Sequence, residues 1–290
     1  MKVCRTQAEM DAHAGAVLVP TMGALHAGHA GLIRVAAALA VSRGFAAGCV
    51  VTIFVNPTQF NDPADFARYP QTLDADLTLC EEAGAAAVLV PGVSEVYPRW
   101  PQTSDPGAAP PRLPRVAWQP GLEDAHRPGH FAGVCQVVKR LFELCRPWAA
   151  VFGEKDWQQL QVVRGLVVQE EMSIGIVAAA TARDADGLAL SSRNRFLTGA
   201  DRVKALAIRR AILAAGREAT VAEAQRVLRA VLSEAEIVPD YAVVRDAETL
   251  LPASEGAAAA YRTLVAARVG SVRLIDNGPW PGAAPRPGGA

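Results

Sequence analysis

What this chain lacks narrows its role first. Its 290 residues carry 29 Lys and Arg against 29 Asp and Glu, so the formal net charge is zero. It has no basic block, which argues against a nucleic-acid surface. No apolar run approaches the roughly 18–20 residues needed to cross a bilayer, and no membrane association is expected. The opening Met1-Lys2-Val3-Cys4-Arg5 has no apolar stretch of the secretory kind. Cys4, Cys49, Cys80, Cys135 and Cys145 are odd in number and scattered. They form neither a disulfide framework nor a C-x-x-C metal pair, which fits a reducing cytoplasm and small buried hydrophobes. Lysine is scarce: only Lys2, Lys139, Lys155 and Lys204 are present. There is no internal repeat, Walker A loop, G-x-G-x-x-G fingerprint or Ser-His-Asp ordering.

What is present alternates between strand and helix. Continuous apolar runs at Ala16–Pro20, Gly48–Val55, Ala86–Val90, Ala149–Phe152 and Ile174–Ala179 predict strands. Between them, Gly31–Arg43, Leu73–Ala83, Phe131–Leu144 and Asp156–Glu170 predict helices. Apolar strands with helical crossovers point to an α/β fold, a Rossmann-like parallel sheet with helices on both faces. Prolines crowd the stretch from Tyr97 to Gly129, which is expected to be a covering loop with some short strand. After about Ala180 the grammar changes. Helices at Asp201–Glu218 and Val221–Glu236 precede short strands at Tyr241–Arg245, Thr263–Arg268 and Val272–Asp276. The expected organisation is a domain at 1–180 and a smaller C-terminal α+β domain at 181–290, with a Pro/Gly-rich tail fraying from Gly278.

The most informative stretch is Val19-Pro20-Thr21-Met22-Gly23-Ala24-Leu25-His26-Ala27-Gly28-His29. It places two histidines where a strand gives way to a helix N-terminus, and free N–H groups and the helix dipole favour anions there. Gly28 lets a phosphate approach the backbone, and the histidines can donate hydrogen bonds to it. An isolated H-x-G-H is equally compatible with a turn carrying two surface histidines.

Further polar clusters follow the other strands: Asn56-Pro57-Thr58-Gln59-Phe60-Asn61, Gly153-Glu154-Lys155-Asp156 and Thr181-Ala182-Arg183-Asp184. In open α/β sheets ligands bind at the carboxyl ends of the strands, so these clusters should converge on one crevice. Leu190-Ser191-Ser192-Arg193-Asn194-Arg195 opens the second domain and could close over it. A lone Glu-Lys-Asp is ordinarily a solvated charge cluster. At a strand end, though, the compact Lys155 ammonium suits a phosphate oxygen. Ser191 and Ser192 can cap a helix or turn, and Arg193 beside them favours a phosphate. Gln59 is neutral and bidentate, suited to a hydroxyl and a carboxylate. Together these clusters imply an anionic, phosphate-bearing ligand.

In five stretches the chain resembles the pantoate–β-alanine ligases, a family within the H-x-G-H nucleotidyl-transfer superfamily. These are Pro20-Thr-Met-Gly-Ala-Leu-His-Ala-Gly-His29, Phe54-Val-Asn-Pro-Thr-Gln-Phe60, His130-Phe-Ala-Gly-Val134, Phe152-Gly-Glu-Lys-Asp-Trp-Gln-Gln-Leu160 and Asp186-Gly-Leu-Ala-Leu-Ser-Ser-Arg-Asn-Arg195. H-x-G-H marks only the superfamily; N-P-x-Q-F and G-E-K-D-x-Q-Q-L mark the family. The resemblance implies that ATP and (R)-pantoate give pantoyl adenylate and pyrophosphate, with Mg²⁺ on the phosphates, before β-alanine displaces AMP. It also implies a homodimer. Met22, Gly23, Ala24, Leu25, His26, Ala27, Gly28 and His29 would hold ATP, with His29 as proton donor. Gly153, Glu154, Lys155, Asp156, Ala182, Leu190, Ser191, Ser192 and Arg193 would complete the nucleotide site. His26, His29, Lys155, Ser191, Ser192 and Arg193 are the expected catalytic set, and Gln59 and Gln159 would contact pantoate. The first domain would then bind nucleotide and pantoate, and the second would be a lid. No metal ligand can be named, Asp74 and Asp76 being weak candidates.

Leu190 stands where the family often has Met, and Ala182 where it often has Val, which could loosen adenine packing. Three other readings stay open at this level. One is an H-x-G-H adenylyltransferase with a phosphorylated acceptor, which the neutral Gln59 and Gln159 disfavour. Another is a fragment of a class I aminoacyl-tRNA synthetase, which the neutral charge disfavours. The third is a non-catalytic nucleotide sensor, which the retained His26, His29, Lys155 and Arg193 disfavour.

Overall fold

The computed structural model describes residues 1–60, 66, 67, 69–98, 112–253 and 260–281. They form two compact units: Met1–Glu154 with Gln159–Ala180, and Lys155–Gln158 with Thr181 onward.

The first unit is built on a six-stranded parallel sheet. Its strands are β1 (Lys2–Cys4), β2 (Val17–Thr21), β3 (Cys49–Ile53), β4 (Ala87–Leu89), β5 (Ala149–Gly153) and β6 (Gly175–Ala179), in the order β1-β4-β3-β2-β5-β6. Side chains alternate across the sheet. Val17, Val19, Val51, Val88 and Val151 share one cluster with Ile33, Ala36 and Ala40 of helix α2 (Ala27–Ser42) and Cys80 of helix α3 (Leu73–Glu82). The alternate residues Leu18, Val50 and Ala150 are also fully buried. Helix α6 (His130–Cys145) packs against β2. Both faces are therefore covered, which explains the near-continuous apolar strands.

Three features differ from expectation here. β1 and the short helix α1 (Gln7–Met10) were too brief to leave a periodic signal. Helix α2 starts at Ala27 rather than Gly31, because His26 caps it. Helix α4 (Val93–Val96) runs up to Tyr97, and the described part of the Pro-rich stretch carries a 3₁₀ turn at Arg115–Ala117 and helix α5 (Glu123–His126). No strand occurs among its described residues. Residues 99–111 lie outside them.

In the second unit, β7 (Pro239–Asp246), β8 (Tyr261–Val269) and β9 (Val272–Trp280) form an antiparallel meander. Helices α8 (Gly199–Ala215) and α9 (Val221–Glu234) bury Ile208, Ile212, Leu228 and Leu232 against Val265, Leu274 and Trp280. The chain does not fray at Gly278. That residue pairs with Thr263 in the ladder, and a Cβ built on it would lie 2.9 Å from Ile212 Cγ2, so glycine admits the helix. Trp280 is buried and its indole donates to Ala215 O at 3.1 Å. The tail beyond 281 lies outside the described residues. Helix α7 (Trp157–Gln169) begins in this unit: the Trp157 indole donates to Ala247 O at 2.8 Å, and the Arg262 guanidinium stacks 3.4 Å from its ring centroid.

All five cysteines are free and buried. Burial raises the Cys4 thiol and pushes those of Cys49, Cys80, Cys135 and Cys145 up to about 12.

Candidate active site

The chain leaves β2 toward β3 and β4, then returns to place β5 on the other side of β2. This is the topological switch point where open α/β sheets open a crevice. The two strands are paired only at Val17↔Ala149 and Leu18↔Ala150, whereas β2 pairs with β3 over five residues. Beyond Leu18 and Ala150 the sheet has no β2–β5 ladder, and the histidine turn and Gly153 emerge at those ends.

The histidine turn is tightly specified. Gly23 (φ +83°) and Ala24 (φ +51°) are left-handed, a conformation that glycine adopts freely and alanine does not. It is held by Asp76, whose carboxylate accepts from Ala24 N at 3.0 Å, Leu25 N at 2.8 Å and Thr72 Oγ1 at 3.1 Å. Asp76 is only 2% exposed. Its oxygens serve the backbone of the turn and the Thr72 hydroxyl, while Asp74 is exposed. Among the described residues no three His, Cys, Asp or Glu side chains gather as a metal site.

His26 caps α2, its Nδ1 accepting from Gly28 N at 3.1 Å. His29 Nδ1 accepts from His26 N at 3.3 Å, completing a capping box, and the ring centroids are 4.2 Å apart. A ring nitrogen that accepts carries no proton, so each neutral ring is protonated at Nε2. Capping therefore fixes both tautomers. Ala27, Gly28 and His29 form the first helical turn, where backbone N–H groups have no intrahelical partners.

Gln59 belongs to the same unit. It ends the 3₁₀ turn Pro57–Gln59 after β3, and its Nε2 donates to Met22 Sδ at 2.8 Å. Its Oε1 accepts from Asn56 Nδ2 at 3.1 Å, and its main-chain oxygen accepts from the buried His130 Nδ1 at 3.1 Å. Gln159 lies on α7, half-buried; Gly153 ends β5 and Glu154 opens the 3₁₀ turn Glu154–Asp156. Asn56 is 1% exposed and so more than one member of a polar cluster; the only hint in the sequence was an amide before Pro57 at a strand end.

The remaining expected residues lie in the second unit. Lys155 Nζ is 3.7 Å from Asp156 Oδ1, and Lys155 O accepts from Asn277 Nδ2 at 2.8 Å. Asn277 in turn accepts from Arg262 Nε at 2.6 Å. Neither Asn277 nor Arg262 had a sequence signal beyond polar residues in a strand. Ala182 and Leu190 meet through the main chain, Leu190 N donating to Ala182 O at 3.0 Å. The loop between them is pinned by Arg183, bidentate to Asp276 at 2.7 and 2.9 Å, and by Arg202, which pairs with Asp184 and Asp186. Ser191 caps the 3₁₀ turn Ser192–Phe196, accepting from Arg193 N at 3.3 Å, and Arg193 is exposed.

A family model described as pantoate–β-alanine ligase matches residues 1–279. The chain belongs to the pantoate–β-alanine ligase family. It is an enzyme, a ligase. Among related ligases, a pantothenate synthetase of Nocardioides sp. is 47% identical over 274 residues, covering 90% of this chain and 78% of the relative. The solved pantothenate synthetase of Thermus thermophilus is 42% identical with a TM-score of 0.83, the match covering 96% of this chain and 98% of that one. The pantoate–β-alanine ligase of Francisella tularensis, solved with β,γ-ATP and β-alanine, is 29% identical with a TM-score of 0.72 over 96% of this chain and 97% of that one.

Proposed function

We propose that this ligase joins (R)-pantoate to β-alanine through a pantoyl-adenylate intermediate. In the first step the pantoate carboxylate attacks the α-phosphorus of ATP, a P–O bond forms, and the bond to pyrophosphate breaks. In the second the β-alanine amine attacks the acyl carbon, AMP departs and the amine loses a proton. Neither step asks for a protein nucleophile. Both ask for positioning and for neutralisation of developing charge.

The observation that carries this reading is the pair of histidines capping α2, with both Nδ1 atoms accepting from the backbone. Two Nε2–H donors at a helix N-terminus suit a polyphosphate. His29 would donate to the departing pyrophosphate, and Met22 to His29 with Gly153, Glu154 and Asp156 would line the nucleotide. Lys155, Ser191, Ser192 and Arg193 would complete the phosphate contacts, with Ala182 and Leu190 against the adenine. Gln59 and Gln159 would hold pantoate. The second unit would serve as a lid that keeps water from the acyl phosphate anhydride. Mg²⁺ in nucleotide sites is bound through phosphate oxygens with at most one or two carboxylates. That arrangement needs no protein cage, and the ion would neutralise phosphate charge. A cytoplasmic homodimer belongs to the same reading, and sedimentation of the purified chain tests the dimer.

The deciding experiment is ATP–pyrophosphate exchange with the purified protein. Exchange should depend on pantoate, and adding β-alanine should release one AMP per pantothenate formed. Exchange without pantoate, or AMP release that β-alanine does not accelerate, would overturn the reading.

A further inference from the structure

Behind Gln59 lies a buried chain of polar groups that leads to Tyr97. Asn56 Oδ1 accepts from Tyr97 Oη at 2.8 Å, Thr58 Oγ1 at 3.0 Å and Thr58 N at 3.3 Å. Asn56 Nδ2 donates to Gln59 Oε1 at 3.1 Å and to Gly133 O at 3.2 Å. A main-chain N–H on one side and a main-chain carbonyl on the other cannot exchange roles. Reversing the Asn56 amide would set donor against donor and acceptor against acceptor, which a buried site penalises. The Gln59 amide is thereby oriented too, with Oε1 engaged inward.

Its Nε2 is left against Met22 Sδ, a weak acceptor that a substrate oxygen would readily replace. The surrounding backbone has little room to adjust. A Cβ on Gly133 would collide with the Thr58 carbonyl, and His130 Nδ1 holds the Gln59 carbonyl. Tyr97 is fully buried, packed edge-on to Phe54. Burial pushes its phenol up to about 12, so it keeps its proton at neutral pH and can donate.

We propose that Tyr97 is a positioning residue: acting through Asn56, it fixes the Gln59 amide so that Gln59 meets the hydroxy-acid as a hydrogen-bond donor through Nε2. This rests on the reading of Gln59 as a pantoate contact and adds the polarity of that contact and its cause. An amide held with its donor outward selects a ligand that presents a lone pair at that point, the carboxylate or a hydroxyl oxygen of a hydroxy-acid.

The test is a double-mutant cycle on the full-length enzyme, read as KM for pantoate and for ATP. Tyr97→Phe should raise KM for pantoate about 3- to 10-fold, the scale of one net hydrogen bond, and leave KM for ATP within about twofold. On a Gln59→Ala background it should add nothing, because a shared chain is non-additive. Gln59→Glu, which replaces the donor with an acceptor of the same shape, should raise KM for pantoate more than Gln59→Ala does. Thr58→Val removes a weaker donor to the same oxygen and should act in the same direction, less strongly, which keeps the test available if Tyr97→Phe does not fold. Additive effects of Tyr97→Phe and Gln59→Ala would overturn the role of Tyr97 while leaving Gln59 as a pantoate contact. A Gln59→Glu enzyme with near-parent pantoate affinity would overturn the donor polarity. An unchanged KM for pantoate in Gln59→Ala would remove the reading of Gln59, and this inference with it.

Discussion

The turn that carries His26 and His29 and the turn that carries Ser191 to Arg193 are held in different ways. In the first, and at Gln59 in contact with it through Met22, each functional side chain has a fixed hydrogen-bond partner behind it. Asp76 fixes the main chain, backbone N–H groups fix both imidazole tautomers, and Asn56 fixes Gln59. In the second, Ser191 accepts one capping bond, the Asn194 side chain donates to Ala189 O at 3.0 Å, and Arg193 lies exposed. A group that must meet one particular atom gains from preorganisation, whereas a guanidinium reaching for a phosphate can adapt its long side chain to several oxygens. The first turn is built for selection and the second for adjustment.

The sharpest way to break that contrast is to remove the proposed charge-stabilising donors. His29→Ala and Lys155→Ala should each lower pantoate-dependent pyrophosphate exchange by about 10²–10³-fold. Thermal melting should be little changed in Lys155→Ala and modestly lowered in His29→Ala, which also loses the capping bond from His26 N. Near-normal exchange in either purified variant would remove the role assigned to it. Asp76→Ala touches no proposed substrate contact, yet it leaves two main-chain N–H groups and the Thr72 hydroxyl without their acceptor. We expect a loss of roughly 2–3 kcal/mol in chemical denaturation and a clear drop in exchange rate in the protein that remains folded. Full activity in folded Asp76→Ala would show that the rigid turn is not needed.

Gln59→Ala should cost about 1–3 kcal/mol in apparent pantoate affinity, with ATP binding measured without pantoate nearly unchanged. A variant that loses ATP as severely as pantoate would place Gln59 in the nucleotide subsite. The smallest effect is expected at the adaptable turn. Arg193→Ala should slow adenylation modestly and, in reactions without β-alanine, release more AMP per adenylate formed than the parent. Unchanged leakage with slower adenylation would make Arg193 a fixed phosphate ligand and remove the support for a lid.

Much of the fold could be read from the residues because its signals are physical and local. Val17–Val19 and Cys49–Val51 are unbroken apolar runs, as strands covered on both faces must be. The apolar spacing of α6 and of the helices α8 and α9 likewise announced them. The start of α2 was misplaced by four residues because His26 is not a typical N-cap; its imidazole fills the place a Ser or Asp hydroxyl or carboxylate would take. Lys155 reads in sequence as the end of a β5 cluster. It belongs instead with the second unit, through the Asn277 bond and the stacking of Arg262 on Trp157, contacts more than 100 residues apart in the chain that periodicity cannot reveal. Tyr97, Asn56 and Asp76 were equally illegible as a support for the site. A buried polar residue that orients another looks in sequence like any polar residue near a strand end.

The burial of every cysteine has a practical consequence. Thiolates, not thiols, react with maleimides, iodoacetamide and peroxide, and these thiols are both out of solvent and raised in pKa. The sign of the linkage is that of an acid whose folded pKa lies above its unfolded one: the contribution to stability is complete below about pH 9 and is lost as pH climbs toward about 12. At neutral pH the native enzyme should take up no alkylating reagent and keep its full activity, while the urea-unfolded chain should take up five equivalents, one for each cysteine. A single cysteine introduced at an exposed position such as Val238 would then be the one reactive handle on the molecule, and a fluorophore or spin label could be attached there without first stripping out the native thiols.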